Sequence, residues 1–178
     1  MRTRIIAAAA LAAITAGCAH GAAGGAGDAP ADSVTAVLHD ATGQEGARAT
    51  ATQVVDGVRI DLTASAVAPG THGLHIHAIG RCEAPDYATA GPHWNPTKRQ
   101  HGKDNPQGMH MGDLPNLTVG DDGHGTVSFT IPGASLRSGA TPLLDADGAA
   151  IVIHSGPDDY VTDPSGSSGG RKLCGVFG

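Results

Sequence analysis

Ten histidines stand among 178 residues, and six of them cluster in ways that suggest chemistry. Histidine is the commonest metal-ligating side chain, because neutral imidazole offers a nitrogen lone pair near neutral pH. In Gly73-Leu74-His75-Ile76-His77, strand alternation puts both imidazoles on one face and Leu74 and Ile76 on the other. Side chains spaced this way can converge on one ion, although a His-x-His pair alone also arises by chance. Downstream, a single loop carries His93, His101, His110 and Asp113. Zinc accepts imidazole nitrogen and carboxylate oxygen in tetrahedral geometry. A closed four-ligand shell would also keep so long a loop ordered. The bland alternative is a solvated polar loop. His154 ends an apolar run and joins a site only if it faces His75 and His77, which spacing does not decide.

The elements that must hold these side chains read as β. Residues 34–38 look like a first strand. Ala47, Ala49 and Ala51 alternate with Arg48, Thr50 and Thr52, and Val58, Ile60, Leu62, Ala64 and Ala66 alternate with polar residues. Asp56-Gly57, between these two runs, predicts a tight hairpin turn. Val127, Phe129 and Ile131 alternate after the turn signal Asp121-Asp122-Gly123. Residues 149–153 form a short, continuous, largely β-branched run, which predicts a strand buried on both faces. Aromatics make up only 3% while glycines number 27, which suits turns and small-residue strands better than packed helices. No stretch beyond the N-terminus has a helical period. The pattern predicts an all-β antiparallel sandwich or barrel. Two polar stretches rich in Gly and Pro, residues 80–120 and 155–172, read as long functional loops. The first holds the His/Asp set, and His154 and Arg171 bracket the second.

The N-terminus reads as an address. Met1-Arg2-Thr3-Arg4 is a short basic start, residues 5–14 are an apolar run, and Thr15-Ala16-Gly17 are small. That is a signal peptide over residues 1–17, too short to span a bilayer, which takes ~20 apolar residues. The order of small residues before Cys18 resembles a bacterial lipobox, which implies a lipid on Cys18; Thr15 stands where Leu is usual. Residues 18–32 read as a flexible tether and residues 33–178 as one folded domain. Export to an oxidising compartment predicts one disulfide between the two remaining cysteines, Cys82 and Cys174. The formal net charge of −6, with no basic cluster longer than a pair, argues against nucleic acid as a partner.

Taken in order, Gly73-Leu74-His75-Ile76-His77, Gly91-Pro92-His93-Trp94-Asn95-Pro96, His101-Gly102, His110-Met111-Gly112-Asp113-Leu114, His154 and Gly170-Arg171-Lys172-Leu173-Cys174-Gly175 resemble the copper/zinc superoxide dismutases, in their exported bacterial branch. The resemblance implies a Greek-key antiparallel β-barrel of about eight strands. It implies one copper per subunit on His75, His77, His93 and His154, and one zinc on His93, His101, His110 and Asp113. His93 would bridge the two metals. Asp158 would stand behind the ligands and link one of each metal, with Asp159 as a neighbouring rival. Arg171 would attract the anion, and the Cys82–Cys174 bond would brace the ligand loop. The implied reaction is disproportionation of superoxide to oxygen and hydrogen peroxide, with His93 and Arg171 catalytic and zinc structural. Leu74, Arg81, Leu173 and Phe177 depart from the usual residues at packing positions. The stretch after His154 has no Lys before Arg171 and carries Asp158, Asp159 and Asp163, so steering of an anion by positive field reads as weak.

Three other readings compete. A metal carrier on this fold would be expected to lack a ligand or the arginine, and all are present. A zinc hydrolase needs an open coordination position, which the closed shell denies. A structural lipoprotein would use metals only as a brace. The expected location is outside the cytoplasm, in the periplasm or cell envelope. The expected partners are superoxide, a membrane only through Cys18, and at most a second copy, as monomer or homodimer. His20, His39, His72 and His124 match nothing and read as surface or structural; Tyr87 and Trp94 read as packing residues.

Overall fold

Alternation of small apolar and polar residues builds most of the observed strands. The computed structural model describes residues 32–178, so the expected signal peptide, Cys18 and nearly all of the tether lie outside the described residues. Nine strands follow in order: β1 (Ser33–His39), β2 (Glu45–Val54), β3 (Gly57–Ala64), β4 (Gly70–His72), β5 (Leu74–His77), β6 (Leu117–Val119), β7 (Gly125–Pro132), β8 (Ala150–His154) and β9 (Arg171–Val176). Seven of them form one curled antiparallel sheet in the order β5-β8-β9-β1-β2-β3-β7, and β4 pairs with β6. The chain therefore leaves the sheet after β3, next to the β7 edge, and returns at the opposite edge with β5. The only helical element among the described residues is a 3-10 turn at Ala88–Ala90.

Several details differ from the sequence reading. Val54 pairs with Gly57, so the hairpin loop is Val55-Asp56 and Gly57 already belongs to β3. The glycine serves close approach instead, since a Cβ there would collide with the carbonyl oxygen of Ile131 on β7. β3 ends at Ala64 because the N–H groups of Ser65 and Ala66 both turn to the Gly46 carbonyl, at 2.9 and 3.2 Å. The polar stretch 80–120 is not wholly irregular, as it contains the 3-10 turn and β6.

Leu74, Ile76, Ile151 and Ile153 enter the main core with Leu38, Ile60 and Leu62. The opposite face of β8 carries Ala150 and Val152, which pack in a smaller cluster with Tyr87, Ala90 and Cys174. Being covered on both faces explains the unbroken apolar run. His75 pairs with Val152 and His77 with Ala150, so both imidazoles stand on that second face, away from the main core. The loop chain roofs this face and also covers the free edge of β5, where His75 bridges Asp113 and His77 bridges His93. A sheet edge closed in this way cannot recruit another chain.

The expected disulfide is present, joining Cys82 to Cys174 with Cα atoms 5.7 Å apart. It ties the roof to β9 and closes a loop across a sequence separation of 92. In the chain-entropy model such a loop is worth about 4 kcal/mol. A Cys82→Ser/Cys174→Ser variant should lose about 2–4 kcal/mol in urea unfolding of the metal-free protein; a loss under about 1 kcal/mol would show that the roof is held by other contacts.

Candidate metal centre

Three backbone hydrogen bonds form a closed ring beneath the roof. Ile76 N–H donates to Gly112, Gly112 N–H donates to Trp94, and Trp94 N–H donates back to Ile76, each at 2.8 Å. The ring fixes the chain between His75 and His77, beside His93, and beside Asp113. Only glycine fits at position 112, since a Cβ would meet the Ile76 carbonyl and both backbone groups of Trp94. Trp94 itself is buried in the main core, a packing role, and Tyr87 is buried with its hydroxyl donating to the His39 carbonyl.

Each imidazole has one nitrogen tied outward. His77 Nδ1–H donates to the Gly91 carbonyl at 2.8 Å. His154 Nδ1–H donates to the Gly169 carbonyl at 3.1 Å. His75 Nε2–H donates to Asp158 at 2.7 Å. His93 Nδ1 meets Asp113 Oδ1 at 2.9 Å. The opposite nitrogens, His75 Nδ1, His77 Nε2, His93 Nε2 and His154 Nε2, are buried and have no hydrogen-bond partner. Ligand atoms of these four residues lie within 4.8 Å of one another. Where the outer N–H faces a carbonyl or carboxylate, the inner nitrogen must carry the lone pair. Burial pushes His77 down to about 2, His154 to about 3 and His93 to about 4, so these rings are neutral at ordinary pH. Inward lone pairs with no donor are what a cation requires.

A second grouping within 4.8 Å comprises His75, His93, His101 and Asp113. Asp113 Oδ2 is anchored by the N–H groups of Gly102 and His110, at 2.9 and 3.0 Å. Its Oδ1 is met by Nδ1 of His93 at 2.9 Å, of His101 at 3.0 Å and of His110 at 3.2 Å. The His93 and His110 Nδ1 atoms are 3.4 Å apart. Tetrahedral ligands at the usual zinc bond lengths of about 2.0–2.1 Å are separated by ~3.3 Å, close to these four separations; His110, expected in this set, meets Asp113 and His93 but stands outside the 4.8 Å grouping, in which His75 takes its place. Burial alone would lower His101, but its hydrogen bonds to Asp113 and Asp158 carry it up to about 9. Burial works to raise both carboxyls, and their histidine hydrogen bonds outweigh it, holding them well below the usual carboxylate range. A proton on His101 thus supplies the positive charge these buried oxygens call for.

Asp158 and not Asp159 spans the two groupings. It is buried and accepts from His75 and from His101 Nε2, the latter at 3.0 Å, whereas Asp159 is exposed and binds Thr162. Gly166, at φ +63, covers this carboxylate so closely that a Cβ would collide with it. Arg171 donates through Nη1 to Tyr87 O at 2.6 Å and through Nη2 to Gly91 O at 2.7 Å. It lines a mouth of about 690 Å³ with His77, His93, His154 and Asp145.

Of the histidines read as surface or structural, His72 is structural, buried with its ring nitrogens 2.8 Å from the carbonyl oxygens of His154 and Ala68, while His39 and His124 are exposed and His20 lies outside the described residues. Other supports carried no signal in the sequence. The carbonyls of Gly91 and Gly169 carry no residue-type signal at all. Asn116, which brackets Asp158, sits in an unremarkable Pro-Asn-Leu stretch.

A family model described as copper/zinc superoxide dismutase matches residues 42–177. The superoxide dismutase-like protein YojM of Bacillus subtilis is 46% identical over 124 residues, 68% of this chain; this chain spans only 63% of that protein's length. Superoxide dismutase (Cu-Zn) 1 of Aquifex aeolicus is 42% identical over 136 residues, covering 75% of this chain and 80% of its own. A crystal structure of a double mutant of a SOD-like protein from Bacillus subtilis superposes with a TM-score of 0.76 at 42% identity, covering 80% of this chain and 95% of the other. With the match running from the first hairpin to the last strand, and two histidine groupings sharing His75 and His93 on the roofed face of the sheet, the chain belongs to the copper/zinc superoxide dismutase family of oxidoreductases.

Proposed function

We propose that this protein converts superoxide to oxygen and hydrogen peroxide, with copper held by His75, His77, His93 and His154 and zinc by His93, His101, His110 and Asp113. The observation that carries the reading is that His75 Nδ1 and the Nε2 atoms of His77, His93 and His154 are buried and partnerless within one cluster. His75 is assigned to the first set because its Nε2 is spent on Asp158, leaving Nδ1 free. His110 is assigned to the second because its Nδ1 already meets Asp113.

Copper, when bound, supplies one-electron redox chemistry, and zinc a redox-silent brace. The chain does the rest. His93 presents Nδ1 to one set and Nε2 to the other, so Nε2 can take up a proton and hand it to a product oxygen in the mouth. Asp113 and Asp158 fix the rings that touch them, as carboxylates behind ligating imidazoles do. Arg171 is pinned by two backbone carbonyls, which leaves its remaining donors for a small anion. Export, with cleavage after residue 17, a lipid on Cys18 and a tether over residues 18–32, suits a folded part that relies on a disulfide.

Three expectations test this reading, and the first separates it from metal carriage. Protein loaded with copper and zinc should consume superoxide at a rate that vanishes in His154→Ala and in a zinc-only sample. Absence of turnover with both metals bound would leave carriage as the better account. Asp145 shares the mouth with Arg171, so the rate should fall only modestly with added salt; a steep fall would mean that a stronger positive field operates. The metal-free protein should be most stable near pH 6.5. Below that, His77, His93 and His154 are protonated more readily in the unfolded chain than in the fold, so stability should drop steeply towards about pH 4. Above it, the single proton on His101 is lost as pH rises through about 9, giving a shallower decline. Thermal unfolding between pH 4 and 9.5 would read both limbs, and stability that rose steadily into acid would contradict the neutral-imidazole geometry.

A further inference from the structure

Asn116 lies on the short link between Asp113 and β6, and its side chain makes no hydrogen bond to a proposed ligand. Its amide instead pairs with both backbone groups of Asp158. Asp158 N–H donates to Asn116 Oδ1, and Asn116 Nδ2 donates to Asp158 O, each at 2.9 Å. The side-chain amide thus acts as a peptide group would in a strand ladder. Its own backbone is held in turn, since Asn116 N–H donates to the Tyr160 hydroxyl at 2.8 Å. Tyr160 closes the loop, donating its N–H to Asp158 Oδ1 at 2.6 Å. Asp158 is therefore gripped at its N–H, its C=O and one carboxylate oxygen by two residues that do not reach the histidines.

The grip matters because of where the carboxylate points. Oδ2 accepts from His75 at 2.7 Å and Oδ1 meets His101 at 3.0 Å, one ring from each proposed metal site. The stretch that carries Asp158 is otherwise irregular, running from the end of β8 to the start of β9. Without a fixed backbone, a carboxylate on such a stretch could satisfy one ring and abandon the other. A bidentate amide removes rotation about the Asp158 backbone as well as translation.

We infer that Asn116 is a positioning residue that holds Asp158 across both metal sites, so that loss of its amide weakens the zinc-side set and disturbs the copper-side set together. The inference rests on the metal assignment above. Loss of an outer hydrogen-bonding partner typically costs about 10–100-fold in metal affinity; for a residue one step further out, about 10-fold is expected.

The test is a double-mutant cycle on disulfide-intact protein. Zinc affinity is measured by chelator competition, and the copper-side geometry by the EPR spectrum of bound Cu(II). Asn116→Ala should weaken zinc about 10-fold and alter the EPR parameters, and Asp158→Asn should do at least as much. If Asn116 acts through Asp158, the double variant should be no worse than Asp158→Asn alone. Tyr160→Phe, which removes only the hydroxyl acceptor, should shift zinc affinity in the same direction by a smaller factor, and it serves if Asn116→Ala does not fold. Wild-type zinc affinity in Asn116→Ala (or, where that fails to fold, in Tyr160→Phe), or penalties that multiply in the double variant, would overturn the inference. Failure of the wild-type protein to bind zinc would instead overturn the metal assignment.

Discussion

Four imidazole lone pairs turned away from water dominate the energetics of the roofed face. A buried acceptor left without a donor costs about 1–3 kcal/mol, and the four nitrogens of His75, His77, His93 and His154 are all in that condition. Protonation does not relieve them cheaply, because burial pushes His77, His93 and His154 far below their ordinary value. Rotation does not relieve them either, because turning a ring would break the bond its other nitrogen makes to Gly91, Gly169, Asp158 or Asp113. The protein therefore carries a standing demand for a cation at this point, and the fold must resist the tendency of the chain to open and hydrate those nitrogens.

That resistance comes from the ring of backbone bonds through Ile76, Gly112 and Trp94 on one side and from the disulfide on the other. The ring binds two segments distant in sequence, at Trp94 and Gly112, to the edge of β5. The disulfide brings the start of the roof against β9, close to where Tyr87 and Gly91 accept from Arg171. The Gly91 carbonyl serves two purposes, orienting His77 and pinning Arg171, so the proposed ligand and the proposed anion-binding group share one mechanical anchor.

How much of this could be read from the chain alone varied by residue. The His75/His77 pair was legible because strand alternation dictates a shared face, and β8 was legible because an unbroken β-branched run needs cover on both sides. His154 was not, since a register shift between Ile153 and His154 decides what it opposes, and no residue type announces it. The choice between Asp158 and Asp159 turned on which carboxylate folds inward, a matter settled by Asn116 from another segment together with Tyr160 two residues on. His72 could be read no more finely than surface or structural, because its partners are carbonyls, which every residue possesses. Asp56-Gly57 located the tight hairpin but placed its loop one residue late, because the glycine answers to the neighbouring strand β7 rather than to the turn.

On the proposed assignment, the distribution of charge gives the two neighbouring metal sites different purposes. Both buried carboxylates, Asp113 and Asp158, lie on the closed side with His101, where in the metal-free state a shared proton answers them. A divalent ion there would be largely neutralised by its own surroundings, as suits a brace. The other set offers only imidazoles, neutral by burial, with the guanidinium of Arg171 nearby in the mouth. An ion held by neutral ligands keeps its positive charge, and low-dielectric walls let that charge be felt through the opening. A chain of net charge −6 thus turns a locally positive point towards an anion by confining its compensating carboxylates to the far side of His93.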